Sequence, residues 1–75
     1  FHLQRQFVRA TGLSPRQARL GERLHRARAL LMSGMPAGEA AIACGFADQA
    51  HLSREFSKWT GLPPGRYLRQ IAQNR

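Results

Sequence analysis

A 14-residue segment occurs twice in this chain, and this internal repeat constrains the fold more than any other feature of the sequence. HLQRQFVRATGLSP at 2–15 aligns without a gap with HLSREFSKWTGLPP at 51–64. Eight of the 14 aligned pairs are identical, whereas chance pairing would give about one. The chain therefore contains two copies of one structural unit.

The second copy has a preceding segment that the first copy lacks. Residues 36–49, PAGEAAIACGFADQ, stand before it, and their counterpart would precede Phe1. We therefore expect a first unit that is truncated at its front. The repeat predicts three regions. Residues 1–13 are the end of the first unit, residues 14–34 are a linker helix, and residues 35–75 are the second unit with a closing helix.

Capping residues and glycines divide the chain into helices. Ser14 is followed by Pro15 and, three positions on, by Gln17, which predicts a capped helix start. Asp48 is a suitable N-cap for a later helix, and glycines mark the predicted helix ends. No stretch alternates with a period of two, so we predict no strand. The fold class is all-α, with helices at 1–11, 15–33, 36–43, 49–60 and 64–73.

The apolar faces of these helices supply the expected core. The linker helix has an apolar seam with spacings of four, three and four, formed by Leu20, Leu24, Ala27 and Leu31. Helix 49–60 has Leu52, Phe56 and Trp59 on its apolar face. Phe46 and Tyr67 are expected to join Trp59 as aromatic core residues.

The charge of the chain indicates an anionic partner. Twelve basic residues stand against four acidic ones, giving +8, and eleven of the twelve are arginines. A core of this size is too thin for a catalytic cleft between two layers of structure. No serine has a recognisable His and carboxylate arrangement, and the few acids make paired-carboxylate chemistry improbable. We predict no enzyme, no cofactor and no metal site, and the single Cys44 fits a reducing cytoplasm.

The segment from 36 to 60 has the pattern of a helix-turn-helix, with Gly45 in the turn and Asp48 before the second helix. The polar side of helix 49–60 carries Ala50, Arg54 and Ser57, flanked by Gln49 and Ser53. Gln and Arg can each form two hydrogen bonds with a base edge. The phosphate candidates are Ser57, Lys58 and Arg66, with Arg9 in helix 1–11.

The linker helix joins the two units. Nineteen helical residues span about 28 Å, close to the 34–36 Å or so of one turn of DNA. Arg16, Arg19, Arg23 and Arg26 run along this helix at spacings of three, four and three. They form either a phosphate-attracting stripe or a solvated face on which Glu22 pairs with Arg26.

The sequence ACGFADQAHLSREFSKWTGLPPGRYLR at 43–69 resembles the C-terminal DNA-binding domain of AraC/XylS-type transcriptional regulators. HLQRQFVRATGLSP resembles the end of the first helix-turn-helix of that family. The resemblance implies two homeodomain-like helix-turn-helix units joined by a linker helix, the first truncated here. It implies sequence-specific binding of double-stranded DNA by recognition helices 1–11 and 49–60 in adjacent major-groove segments.

Base-reading residues follow from the resemblance by position. In the second unit they are Gln49, Ala50, His51, Ser53 and Arg54, and in the first they are Phe1, Gln4 and Arg5. The sequence departs from the family pattern at three positions. Ala40 stands where Ile or Val is usual, Leu52 where Phe is usual, and Pro63 where Ser or Thr is usual. The family also implies an upstream effector and dimerisation domain outside this chain and a bacterial cytoplasmic location at the nucleoid.

Two other functions are consistent with a basic helical chain. One is a non-specific nucleic-acid-binding module, or one that contacts a protein partner such as RNA polymerase. The other is a basic amphipathic bundle at a membrane, which the split of basic and apolar faces among several capped helices disfavours. The longest run without a polar side chain is eight residues, at 40–47, whereas a membrane span needs about 20.

Overall fold

A computed structural model describes residues 14–73 as four helices, with no strand among them. These are α1 (Pro15–Met32), α2 (Ala37–Ala43), α3 (Gln49–Thr60) and α4 (Pro64–Gln73). The all-helical prediction is confirmed for this range, and α3 and α4 have the predicted bounds. The helix predicted at 1–11 lies outside the described residues, as does most of the first repeat copy.

The amino end of α1 is fixed by the predicted capping box. Ser14 Oγ accepts a hydrogen bond from the backbone N–H of Gln17 over 3.1 Å, and the Ser14 N–H donates to Gln17 Oε1 over 2.9 Å. The helix ends at Met32 rather than at the predicted residue 33, because Ser33 already serves as its C-cap. Gly34 then reverses the chain with φ of 102°.

A tight turn joins α2 to α3. The predicted start of α2 at Pro36 was one residue early, since Pro36 has an extended ψ of 144° and occupies the N-cap position. Gly45 has φ of 86°, a conformation that glycine adopts without steric penalty. The Asp48 side chain accepts from the His51 N–H over 2.7 Å, which confirms the predicted cap of α3.

The core lies where α1, α2 and α3 meet. The members that are completely buried are Ala27, Ala40, Ala41, Leu52 and Phe56, and Leu24, Leu31, Cys44 and Phe46 are nearly so. Small side chains at positions 27, 40 and 41 let the three helices approach closely. Leu20, predicted in the same seam, is only partly buried against this cluster.

The prediction of Trp59 as a core residue was wrong. Its side chain is 37% exposed and lies at the edge of the core, with its ring edge-on to His25 at 4.8 Å and to Phe56 at 5.7 Å. Helix α4 instead places Tyr67 against Phe56, with ring centroids 5.2 Å apart. Tyr67 is half-buried, so of the three predicted aromatic core residues only Phe46 is fully enclosed.

Candidate nucleic-acid interface

Helix α3 is anchored by one face and uncovered on the opposite one. Leu52 and Phe56 have no exposed surface, whereas Ala50, Arg54 and Lys58 are exposed. At about 100° per helical residue, these three side chains lie on the side away from the core. The turn and the Asp48 cap hold the amino end of α3 in place, so the exposed face has a fixed orientation relative to the domain.

Arg54 is the most available charged group on this face. It is exposed and forms no hydrogen bond or ion pair with any other part of the chain within residues 14–73. Its guanidinium therefore has five N–H donors available to a ligand. Ser53 and Ser57 flank it and are half-buried.

Gln49 lies across the start of the preceding helix. A Cβ placed on Gly38 would stand 3.4 Å from Gln49 Oε1, so the amide packs over the first turn of α2. Gln49 nevertheless remains exposed to solvent.

His51 has a structural role that the sequence did not predict. Its Nδ1 accepts a hydrogen bond from the Ala47 N–H over 3.2 Å, and its ring packs edge-on against Phe46 at 5.2 Å. With Nδ1 engaged as an acceptor, the neutral ring carries its proton on Nε2, which leaves one donor for a ligand.

The phosphate candidates of the second unit differ in their surroundings. Lys58 Nζ lies 3.3 Å from Glu55 Oε2, and this is the single ion pair within the described range. Arg66 is exposed at the start of α4. The remaining predicted site residues belong to the segment outside the described residues, and they are Phe1, Gln4, Arg5 and Arg9.

The arginines of α1 do not form one uniform solvated stripe. The pairing of Glu22 with Arg26 is not formed, although Arg26 is exposed. Arg16, Arg19 and Arg23 line a cleft of about 440 Å³ between α1 and the amino-terminal half of α3. The sequence showed the spacing of the arginines but not the residues that face them across the cleft, which are Phe46, His51 and Glu55.

Other kinds of site are not apparent in this part of the molecule. No helix within residues 14–73 is long and apolar enough to cross a bilayer. The same residues contain no group of three or more His, Cys, Asp or Glu side chains arranged to hold a metal ion. The surface of the described residues offers a ligand mainly hydrogen-bond donors and positive charge.

Comparison with known proteins identifies one family. The model of a family described as a helix-turn-helix domain, of the AraC type, matches residues 1–70. No curated protein and no solved structure matches the chain. The match covers both copies of the internal repeat, the linker and most of the closing helix.

Proposed function

Because the chain belongs to the AraC-type helix-turn-helix family, which binds DNA and regulates transcription, we propose that it binds double-stranded DNA sequence-specifically by placing α3 in the major groove. The family points to a regulator rather than an enzyme. The observation that carries the proposal is the arrangement of α3, with Leu52 and Phe56 completely buried and Arg54 opposite them, exposed and unpaired within residues 14–73.

Each side chain on this face has a partner chemistry on a base edge. Arg54 would donate two hydrogen bonds to O6 and N7 of a guanine, and Gln49 would exchange two with an adenine. Ala50 offers a methyl group to the methyl of thymine, and Ser53 accepts or donates according to the base. His51 would contribute its Nε2 donor while its other nitrogen holds the turn.

Phosphate contacts would orient the helix in the groove. Ser57, Lys58 and Arg66 would contact the backbone on the carboxy-terminal side of the base-reading residues. Lys58 would retain its ion pair with Glu55 or exchange it for a phosphate, since a pair with an ammonium that is 74% exposed contributes little.

The first repeat copy would read a second segment of the same duplex. Its base-reading residues would be Phe1, Gln4 and Arg5, with Arg9 on phosphate. Helix α1 has 18 residues, which corresponds to about 27 Å, so it could separate the two recognition helices by close to one turn of DNA. An upstream domain would supply effector binding and dimerisation, RNA polymerase would be a further partner, and the site of action would be the bacterial nucleoid.

A selection from random DNA tests this proposal. The 75-residue chain is incubated with random-sequence duplexes at physiological salt, and the bound fraction is recovered and sequenced. Enrichment of one short motif is expected if α3 reads bases alone, and two motifs about one turn apart are expected if the first copy reads them too. Binding that fades with salt and enriches no motif would contradict sequence-specific recognition and favour the non-specific module.

A further inference from the structure

The cleft between α1 and α3 has an excess of positive charge with uncommitted donors. Three arginines, Arg16, Arg19 and Arg23, line it against one carboxylate, Glu55. None of the three arginines forms a hydrogen bond or ion pair with another residue in the range 14–73, and all are exposed. Glu55 also pairs with Lys58 at 3.3 Å, and three guanidinium groups against one carboxylate leave the cleft with a net positive charge.

One of these guanidinium groups is held against the turn. A Cβ built on Gly45 would stand 3.6 Å from Arg23 Nε and 3.8 Å from its Cζ. The Arg23 side chain therefore lies in van der Waals range of the turn, whose positive φ Gly45 provides. Because this contact already restricts the Arg23 side chain, the side chain loses less conformational entropy when it binds a ligand.

The walls of the cleft also place it next to the exposed face of α3. His51 and Glu55 form its border on α3; they are half-buried and lie about 100° around the helix axis from the exposed Ala50 and Arg54. A DNA strand that follows this flank of α3 out of the major groove would pass the arginines of α1. Guanidinium groups are suited to such a strand because their planar fork matches two phosphate oxygens.

We propose that this cleft is a phosphate-binding site, occupied by backbone phosphodiesters of the DNA strand that runs past α3 on the side of Arg16, Arg19 and Arg23. The proposal rests on the proposed function and extends it to the linker helix, which then binds DNA instead of acting only as a spacer. Arg16 and Arg19 hold the strand along α1, and Arg23 holds it at the turn.

The salt dependence of DNA binding tests this site. We would measure the dissociation constant by fluorescence anisotropy over a salt series for the wild type, for an Arg16→Ala/Arg19→Ala double variant and for Arg23→Ala. A plot of the logarithm of the association constant against the logarithm of the salt concentration has a negative slope. Each lost phosphate contact reduces the magnitude of this slope by about 0.9. The double variant should therefore lose about two units of slope and Arg23→Ala about one, on selected and random duplexes alike.

Arg26→Ala is the matched control. Arg26 is exposed on the same helix and belongs to the same sequence stripe, but it does not line the cleft. Its substitution removes the same charge and should change the slope by less than half a unit. If Arg26→Ala and Arg23→Ala reduce the slope equally, the cleft is not a distinct phosphate site, and the arginines act only through the overall positive charge of the domain.

A titration with inorganic phosphate shows whether the cleft binds the phosphodiesters of DNA or a free phosphate. Backbone amide shifts of Gly45 and His51 are followed by NMR, first with duplex DNA and then with phosphate at constant ionic strength. Shifts that saturate with DNA, and no saturation below millimolar phosphate, support a phosphodiester site. Saturation at micromolar phosphate would overturn the assignment to DNA and indicate a site for a free phosphorylated compound.

Failure of this proposal is distinguishable from failure of the proposed function. If the wild type enriches no motif, sequence-specific binding by α3 is wrong. If it enriches a motif that the Arg16→Ala/Arg19→Ala variant binds with an unchanged salt slope, only the cleft proposal is wrong. Unchanged helical circular dichroism would show that all variants are folded, as expected for substitutions of exposed side chains.

Discussion

The Nε–H of Arg28 donates a hydrogen bond to the Tyr67 hydroxyl over 2.7 Å, and this contact ties the linker helix α1 to the closing helix α4. The guanidinium carbon also lies 5.9 Å from the centroid of the Tyr67 ring. The Tyr67 ring also packs edge-on with Phe56 of α3, so Tyr67 contacts both α1 and α3 from α4.

Removal of the Tyr67 hydroxyl should destabilise the domain without disturbing its packing. Tyr67→Phe retains the ring against Phe56 and should lower the free energy of unfolding by about 1 kcal/mol. Urea denaturation followed by circular dichroism measures the change. In a double-mutant cycle with Arg28→Met, the Tyr67→Phe effect should vanish in the Met background; an equal effect in both backgrounds would contradict the role of this hydrogen bond.

The buried ring of Phe56 should matter far more than the indole of Trp59. Phe56→Ala should cost about 3–5 kcal/mol, which is comparable to the total stability of about 3–5 kcal/mol expected of so small a core. We expect it to abolish cooperative thermal unfolding. Trp59→Ala, at a side chain that is already 37% exposed, should cost about 1–2 kcal/mol. A larger loss at Trp59 than at Phe56 would show that the core is wrongly assigned.

Replacement of glycine by alanine should lower the folding stability at one position and raise it at another. Gly45 has φ of 86°, so Gly45→Ala should destabilise the fold by about 1–2 kcal/mol. Gly21 lies inside α1, and among residues 14–73 no atom outside the backbone of its own helix lies within 4 Å of a new Cβ, so Gly21→Ala should stabilise by about 0.5–1 kcal/mol.

The pair isolates the backbone conformation as the cause. Both substitutions restrict the unfolded chain equally. Apart from adjacent residues and the backbone of the same helix, neither new Cβ has a neighbour closer than 3.6 Å among residues 14–73. Thermal melts of the two variants beside the wild type give the comparison. If both variants melt below the wild type, or both above it, the turn geometry is not the cause.

Local features of this fold were predictable because each depends on a few adjacent residues. The Ser14 capping box, the Asp48 cap and the glycine of the turn follow from the side-chain chemistry at one helix end. The bounds of α1 and α2 were each off by one residue at one end, because Ser33 and Pro36 act as caps rather than as helical residues.

Features that depend on distant neighbours were not predictable. Trp59 has the spacing of a core residue, but its burial depends on which helices cover it, and within residues 14–73 the rings that pack against it are those of His25 and Phe56. The exposed face of α3 opposite Leu52 and Phe56 followed from periodicity, and so did the spacing of the arginines on α1. The placement of Arg23 over Gly45, and of His51 against Phe46, required the crossing of two helices to be known.

Arg54 is the residue whose substitution shows whether the exposed face of α3 reads DNA sequence, as proposed. We would measure dissociation constants of the wild type, Arg54→Ala and Arg26→Ala for the selected duplex and for a random duplex at one salt concentration. Loss of a bidentate base contact should weaken binding of Arg54→Ala to the selected duplex by about 1–3 kcal/mol, or about 5- to 150-fold. Its binding to random DNA should change no more than that of Arg26→Ala. Equal losses of Arg54→Ala on both duplexes would contradict the claim.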